Sequence, residues 1–447
     1  MEQKKYKLSE IIDSFIPGDW GNENYSEATP EEIHCVRGAD IVPIWNGEYA
    51  AIPIRFVSSS SLNTKRLKVG DIIIEKSGGS PTQSTGRTAF VSKELVEKTK
   101  NLLCTNFCTA FRIKSGWNPK YIYYKIQNYY NNNVFFNFEG KTSGLKNLQI
   151  ESAFQAISID FIPIEEQNAY VEVLDIIERK LNLNRAINRN LEAMAKRLYD
   201  YWFVQFDFPD ENGRPYKTSG GKMVWNETLK RDIPEGWEVK KMRELLKSTE
   251  NGEWGFDSLF NGSLIEIHCI RGADIVDLIG APVRYISEKK TSKLLKEDDI
   301  IIEISGGSPV QATGRSNYVS SQILEFYNNK MTCSNFCKSI ALKDKLYSPY
   351  FFCTWNLFYD NGNMFHYEGK TNGIKNLQLD MLLEESWYFP PKELAEKFRN
   401  YYHAILDKRG KTQKENVFIT LLRDRLLPLL MNGQVSIKRL NSDLSAD

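Results

Sequence analysis

The sequence predicts an α+β chain made by tandem duplication. Two similar globular domains are each followed by a long helix, and the helices pair antiparallel as a coiled coil about a pseudo-twofold axis. Two observations carry this expectation. A set of short motifs occurs twice, in one order and at an offset of about 230 residues. After each set, side chains suited to a helical seam recur in steps of four and three.

The repeat is extensive. EKSGGSPTQSTGR at 75–87 returns as EISGGSPVQATGR at 303–315, and HCVRGADIV at 34–42 returns as HCIRGADIV at 268–276. NLLCTNFC at 101–108 returns as KMTCSNFC at 330–337, and FEGKTSGLKNLQI at 138–150 as YEGKTNGIKNLQL at 367–379. GDWG at 18–21 has its partner in GEWG at 252–255. Constant order over so many segments marks a duplicated domain.

Pro163 and the Pro390-Pro391 pair punctuate the two copies, and a helical pattern follows each. In the first helix the seam reads Tyr170, Leu174, Ile177, Leu181, Asn184, Asn188, Leu191, Ala195, Leu198 and Trp202. In the second it reads Phe398, Tyr401, Ile405, Lys408, Thr412, Glu415, Ile419, Leu422, Leu426 and Leu429. Both turn polar in the middle, and polar seam positions fix register and partner. Antiparallel pairing sets one polar centre against the other. The boundaries expected are a first domain at 1–164, a central helix at 165–205 and a connector at 206–235 with one short hairpin. A second domain at 236–390, a C-terminal helix at 391–432 and a tail at 433–447 complete the chain.

A length of 447 residues exceeds one ordinary core, and 41% hydrophobic residues suffice for compact bodies. No run of eighteen apolar residues exists and the first residues, MEQKKYKLSE, are charged, so a cytoplasmic protein with no membrane partner is expected. A net charge of +1 leaves room for local basic patches. The seven cysteines are expected to be reduced thiols.

Catalytic signatures are missing. There is neither GxGxxG nor GxxxxGK[ST], and FPPK at 389–392 has Phe389 where an adenine methyltransferase carries an amide or acid. His34, Cys35, Cys104 and Cys108, with their repeats, supply zinc-type ligands. LLCTNFCTAFRI, however, alternates like one strand, which would put Cys104 and Cys108 about 13 Å apart, too far for one zinc. A nuclease alternative rests on Glu139-Gly140-Lys141 and Glu368-Gly369-Lys370, with Asp71 and Asp299 as further Mg²⁺ ligands.

The repeated loops have the make-up of a DNA-contacting surface. Arg87 and Arg315 suit guanine in the major groove, and Gln83, Gln311, Asn147 and Asn376 suit adenine. Lys76, Lys141, Lys146, Lys370 and Lys375 suit phosphate oxygens, as do Ser77, Thr85, Thr142, Ser305, Thr313 and Thr371. Twofold-related reading units match the local dyad of a duplex.

In this order the segments resemble the specificity subunit of type I restriction–modification systems over essentially the whole chain. The resemblance is carried by Pro163-Ile164-Glu165-Glu166-Gln167, NLEAMAKRLYDYWFVQFDFP at 190–209, IPEGWE at 233–238 and LLPLLMNGQV at 426–435. The second helix start departs from it, with Pro390-Pro391-Lys392-Glu393-Leu394 in place of the usual Pro-x-x-Glu-Gln. The resemblance implies two target-recognition domains, double-stranded DNA as ligand and no catalytic residue in this chain. It also implies two methyltransferase subunits carrying S-adenosylmethionine, and restriction subunits using ATP and Mg²⁺. Leu191, Met194, Leu198, Trp202, Leu422 and Leu426 are the partner-binding positions expected on the helices. Because the two domains are close relatives, two similar, inverted half-sites are expected. Differences such as Lys76 against Ile304, Thr82 against Val310 or Ser143 against Asn372 can alter single bases.

Overall fold

The computed structural model describes residues 4–78, 83–142, 145–259, 262–306, 310–371, 374–435 and 437. The side chains of Lys141, Thr142, Leu145, Lys370, Thr371 and Ile374 lie outside that description, as do Thr82, Ser143 and Asn372 entirely. The chain divides into two compact units, 1–185 with 416–447 and 186–415. Each unit therefore takes half of each long helix.

In the first unit a four-stranded antiparallel sheet runs in the order Ile12–Pro17, Cys108–Ile113, Ile72–Glu75, Thr88–Phe90. A three-stranded sheet centres on Glu31–Val36, antiparallel to Ile54–Val57 and parallel to Leu102–Cys104. A third joins Glu139–Thr142, Leu145–Leu148 and the two-residue strand Ser77–Gly78. The second unit repeats all three. The four-stranded sheet is Leu246–Asn251, Cys337–Leu342, Ile300–Glu303, Ser316–Tyr318. The others are Val283–Ser287, Leu264–Ile270, Met331–Cys333 and Ser305–Gly306, Ile374–Leu377, Glu368–Thr371. The runs Ile72-Ile73-Ile74 and Ile300-Ile301-Ile302 are fully buried, as an uninterrupted β-branched run covered on both faces should be. Each such side chain contributes roughly 1.5–3 kcal/mol.

A 13-residue helix, Pro119–Asn131, lies against the first four-stranded sheet. Asn118 caps it by accepting from the N–H of Lys120 and Tyr121. Ser348–Asp360 occupies the same place in the second unit. Cys104 and Cys108 stand on two strands joined by a turn, which corrects the single strand expected from alternation. The Cys108 N–H closes that turn on the Thr105 carbonyl at 2.9 Å. Burial pushes the Cys35 and Cys108 thiols up to about 12, so they are inert, protonated core groups.

The central helix spans Ile164–Tyr199 and continues as one wide turn, Asp200–Val204. The C-terminal helix spans Lys392–Met431. In the first unit Tyr170, Val171 and Leu174 share a core with Leu427, Leu430 and Met431, and Arg423 meets Glu178 at 3.3 Å. In the second unit Ala195, Tyr199 and Trp202 share a core with Phe398, Tyr402 and Ile405. There Arg409 meets Glu192 at 2.6 Å, and the Thr412 hydroxyl donates to Asn188. Within each unit rising numbers on one helix meet falling numbers on the other, so the pairing is antiparallel.

The seam of the C-terminal helix differs from its expected phase. Tyr401 is exposed and Tyr402 buried, and Arg409 rather than Lys408 faces the partner helix. Steps of four and three fit two adjacent stripes here, because Tyr401-Tyr402 and Ile405-Leu406 offer an apolar residue in each.

The departure at the second helix start also has a physical account. Gln167 is fully buried, accepting from the Asn118 N–H at 2.8 Å and donating to the Ile162 carbonyl at 2.9 Å. The Ala395 N–H bonds the Pro391 carbonyl as the Gln167 N–H bonds that of Pro163, so the small, buried Ala395 rather than Leu394 stands in its place, and the tie is made instead by the Tyr347 hydroxyl on the Pro390 carbonyl at 3.2 Å. The connector carries the hairpin Met223–Asn226 with Arg231–Pro234. Among the described residues no helix is long and apolar enough to cross a membrane.

Candidate nucleic-acid interface

The repeated loops converge on one small region in each unit. Glu75 ends the buried strand Ile72–Glu75, and its N–H donates to the Arg87 carbonyl at 2.8 Å, which places both side chains on one side. Arg87 then grips the carboxylate at two points, Nε to Oε2 at 2.9 Å and Nη2 to Oε1 at 2.6 Å. A Cβ on Gly38 or on Gly78 would sit 2.7 Å from the same Oε1, and Gly78 has φ +149°. The glycines of RGAD and SGG are thus both required by one buried carboxylate. Glu303 and Arg315 repeat the pair at 2.9 and 2.6 Å, with Gly272 and Gly306 against the carboxylate. Hydrogen bonding to the glutamate raises the pKa of each arginine.

A second carboxylate ties the two loops together. Glu139 accepts from the Thr85 N–H at 2.6 Å and its hydroxyl at 3.0 Å, and Lys146 sits 3.1 Å away. Lys146 also donates to the Gln83 carbonyl at 3.2 Å. Glu368 repeats this with Thr313 at 2.7 and 3.2 Å and Lys375 at 2.9 Å. Burial raises the Glu368 pKa, but the Lys375 and Thr313 hydrogen bonds outweigh it and hold the carboxyl low. Ser77 donates to Asn147 and Ser305 to Asn376, closing the short strand onto the hairpin. Lys146 and Lys375 each lie 5.0 Å from a ring centroid, of Phe136 and Phe365.

The residues assigned to DNA contact therefore come together, but most already have partners inside their own unit. Arg87 and Arg315 are held by Glu75 and Glu303. Thr85, Thr313, Lys146 and Lys375 are held by Glu139 and Glu368. Ser77, Ser305, Asn147 and Asn376 are held by each other. Lys76 and Gln83 are exposed, and the exposed Gln311 hydrogen-bonds Tyr359. The side chains of Lys141, Thr142, Lys370 and Thr371 lie outside the described residues. Glu75 and Glu303 escaped the sequence reading, although a Glu twelve residues before each repeated Arg was the available signal.

The carboxylates of the nuclease alternative are likewise engaged. Glu139 and Glu368 serve the loops just described. Asp71 accepts from Arg112 Nε and Nη2, both at 2.8 Å, and Asp299 accepts from the Lys296 N–H at 2.8 Å. Among the described residues no three His, Cys, Asp or Glu side chains cluster as a cation site.

On the helices, Met194 and Leu422 are exposed, while Leu191, Leu198 and Leu426 pack at the edges of the cores. Trp202 is buried, its ring 6.1 Å from Phe398 and 5.8 Å from Tyr401. A side chain of that size is taken up by the antiparallel helix of its own chain and has little surface left for another subunit.

No protein-family profile matches the chain. It is 25% identical over 301 residues to the type I restriction enzyme MjaIX specificity subunit of Methanocaldococcus jannaschii. That match spans 65% of this chain and 63% of the length of the curated relative, less than two thirds of it. The crystal structure of the type I restriction-modification system S subunit from M. genitalium aligns over 96% of both chains with a TM-score of 0.53 and 14% identity. The HsdS subunit from Thermoanaerobacter tengcongensis aligns over 97% of both chains with a TM-score of 0.32 and 13% identity. In sequence this chain is similar to one specificity subunit of a type I restriction–modification system, and in fold to another.

Proposed function

We propose that the chain is a non-catalytic DNA-recognition subunit of a type I restriction–modification enzyme. It reads a bipartite site with two similar, inverted half-sites and recruits two methyltransferase subunits and restriction subunits. S-adenosylmethionine, ATP and Mg²⁺ belong to those partners. The observation that carries this reading is the duplication of one unit with the same braced loops, each built on an antiparallel helix pair. A pseudo-twofold chain presents like surfaces to the two strands of a duplex in opposite polarity.

Within each unit the two buried carboxylates act as anchors. They fix the loop backbones, so that Lys76, Gln83, Gln311 and the hairpin lysines Lys141 and Lys370 meet phosphate and base edges without first losing loop entropy. Arg87 and Arg315 work as positioning residues. The exposed Met194 and Leu422 belong to the methyltransferase-binding face.

Purified chain incubated with Mg²⁺ and mixed-sequence duplex DNA binds it and leaves it intact. Cleavage under those conditions would instead favour a stand-alone nuclease. Binding with no sequence preference in the assembled complex would reduce the chain to a scaffold.

A further inference from the structure

We infer that Phe107 and Phe336 are apolar wedges that enter the base stack of the bound duplex, one in each half-site. The inference rests on the DNA-recognition reading above and deepens it.

Each phenylalanine sits at the same point of the turn between the paired cysteines. The backbone of that turn is held from several sides. The Phe107 carbonyl accepts from the N–H groups of Lys76 at 2.8 Å and Ser77 at 3.0 Å. Thr105 donates to the Val36 carbonyl at 2.9 Å, and Asp19 donates to the Cys104 carbonyl at 2.7 Å. The Phe336 carbonyl accepts from Ile304 at 2.8 Å and Ser305 at 3.2 Å, Ser334 donates to Ile270 at 2.8 Å, and Glu253 to Cys333 at 2.7 Å. A Cβ on Gly18 would lie 1.9 Å from the Thr105 carbonyl oxygen, and one on Gly252 would lie 2.0 Å from that of Ser334. The recurring GDWG and GEWG are thus explained: only glycine lets that loop lie against the turn.

The mount is rigid, but the ring it carries stands in solvent. Phe107 and Phe336 are each 56% exposed. A single exposed apolar side chain is ordinary. This one recurs on an identical brace in both copies, as exposed Phe136 recurs in Phe365 and Val42 in Val276, while some other exposed apolar positions have drifted between them. Phe15, 45% exposed, corresponds to Thr249, and Val69, 55% exposed, to Glu297. The ring also borders the proposed interface directly, since its own carbonyl carries the start of the Ser-Gly strand.

An inserted phenyl partly unstacks a base step, and the ease of unstacking depends on sequence. Such a wedge gives each unit a way to discriminate sequence that does not draw on the arginines, whose guanidiniums are already committed.

The test selects duplexes from a randomised library with the full chain in the assembly that co-purifies with it. Wild type enriches a bipartite motif. Phe107→Ala loses base preference in one half-site and Phe336→Ala in the other, each with affinity about tenfold lower or more, and melting temperatures stay at the wild-type value. Phe107→Trp keeps the motif. If wild type enriches a motif and both alanine variants enrich it with unchanged affinity, the wedge is wrong and the recognition reading stands. If wild type enriches nothing, the recognition reading itself fails. An alanine variant that melts early assigns the ring to folding and overturns the proposal.

Discussion

Arg87 and Glu75 form a two-point ion pair, at 2.9 and 2.6 Å, at the root of the repeated glycine loop, and Arg315 with Glu303 reproduces it. The carboxylates are 2% exposed in both copies. Removing one member of a buried pair leaves the other charged and unpaired, at a cost of about 3–5 kcal/mol. Arg87→Ala and Arg315→Ala are therefore predicted to lower the denaturation midpoint by an amount of this order and to blunt all DNA binding together. Replacing the pair jointly, Glu75→Gln with Arg87→Met, recovers much of the stability. A stable Arg87→Ala protein with altered preference at one base would return the arginine to direct readout.

A copy-specific charge cluster gives the second prediction. Asp298 is buried at φ +75°, where the first copy has Gly70 at φ +96°. Burial would raise its pKa, but contacts from His403, Arg399 and Tyr318 overcome that and hold the carboxyl well below its ordinary value. Arg399 contributes hydrogen bonds of 3.0 and 2.9 Å. A carboxylate whose folded pKa is depressed adds stability that is complete above the unfolded pKa, about 3.9, and fades as pH falls through the folded value. Asp298→Asn keeps a residue that tolerates positive φ and removes the charge. It should lose about 3–5 kcal/mol at neutral pH, and the deficit against wild type should shrink below about pH 4. Chemical denaturation at a series of pH values measures it, and a pH-independent deficit would contradict the assignment.

The helices separate packing from recruitment. Trp202→Ala empties a buried site and should cost about 3–5 kcal/mol. Met194→Ala, at an exposed position, should leave the melting temperature unchanged and weaken assembly with methyltransferase subunits, as read by co-purification. Normal assembly of the Met194 variant would remove that residue from the docking face.

Helix length sets the third functional expectation. A helix of about 40 residues is about 60 Å long, more than the 34–36 Å that separates half-sites one turn of DNA apart. Inserting one turn, about 5.4 Å, into each helix should lengthen the unread spacer by one or two base pairs. An unchanged spacer would end the ruler interpretation.

Much of this is legible in the sequence. Duplication shows in the order of motifs, and antiparallel pairing in the polar centres around Asn188 and Thr412, whose side chains do meet. The roles of individual loop residues were not legible. A repeated Arg among Gly and Ser has the composition of a DNA contact whether it points outward or folds back onto a glutamate twelve residues earlier. Only the strand register, Ile74 opposite Thr88, puts Glu75 and Arg87 on the same side. The phase of the second helix was hidden for a similar reason, since Tyr401 and Tyr402 serve an apolar stripe equally well and tertiary packing chooses between them. The exposure of Phe107 is likewise not written in the sequence.

The most direct measurement compares maps of N6-methyladenine in the source genome with and without this gene. The account predicts a bipartite motif with two similar half-sites in inverted orientation, methylated in the parent and lost throughout on deletion. No motif lost on deletion would contradict the recognition role, and two unrelated half-sites would contradict the inference from duplicated domains to a mirrored target.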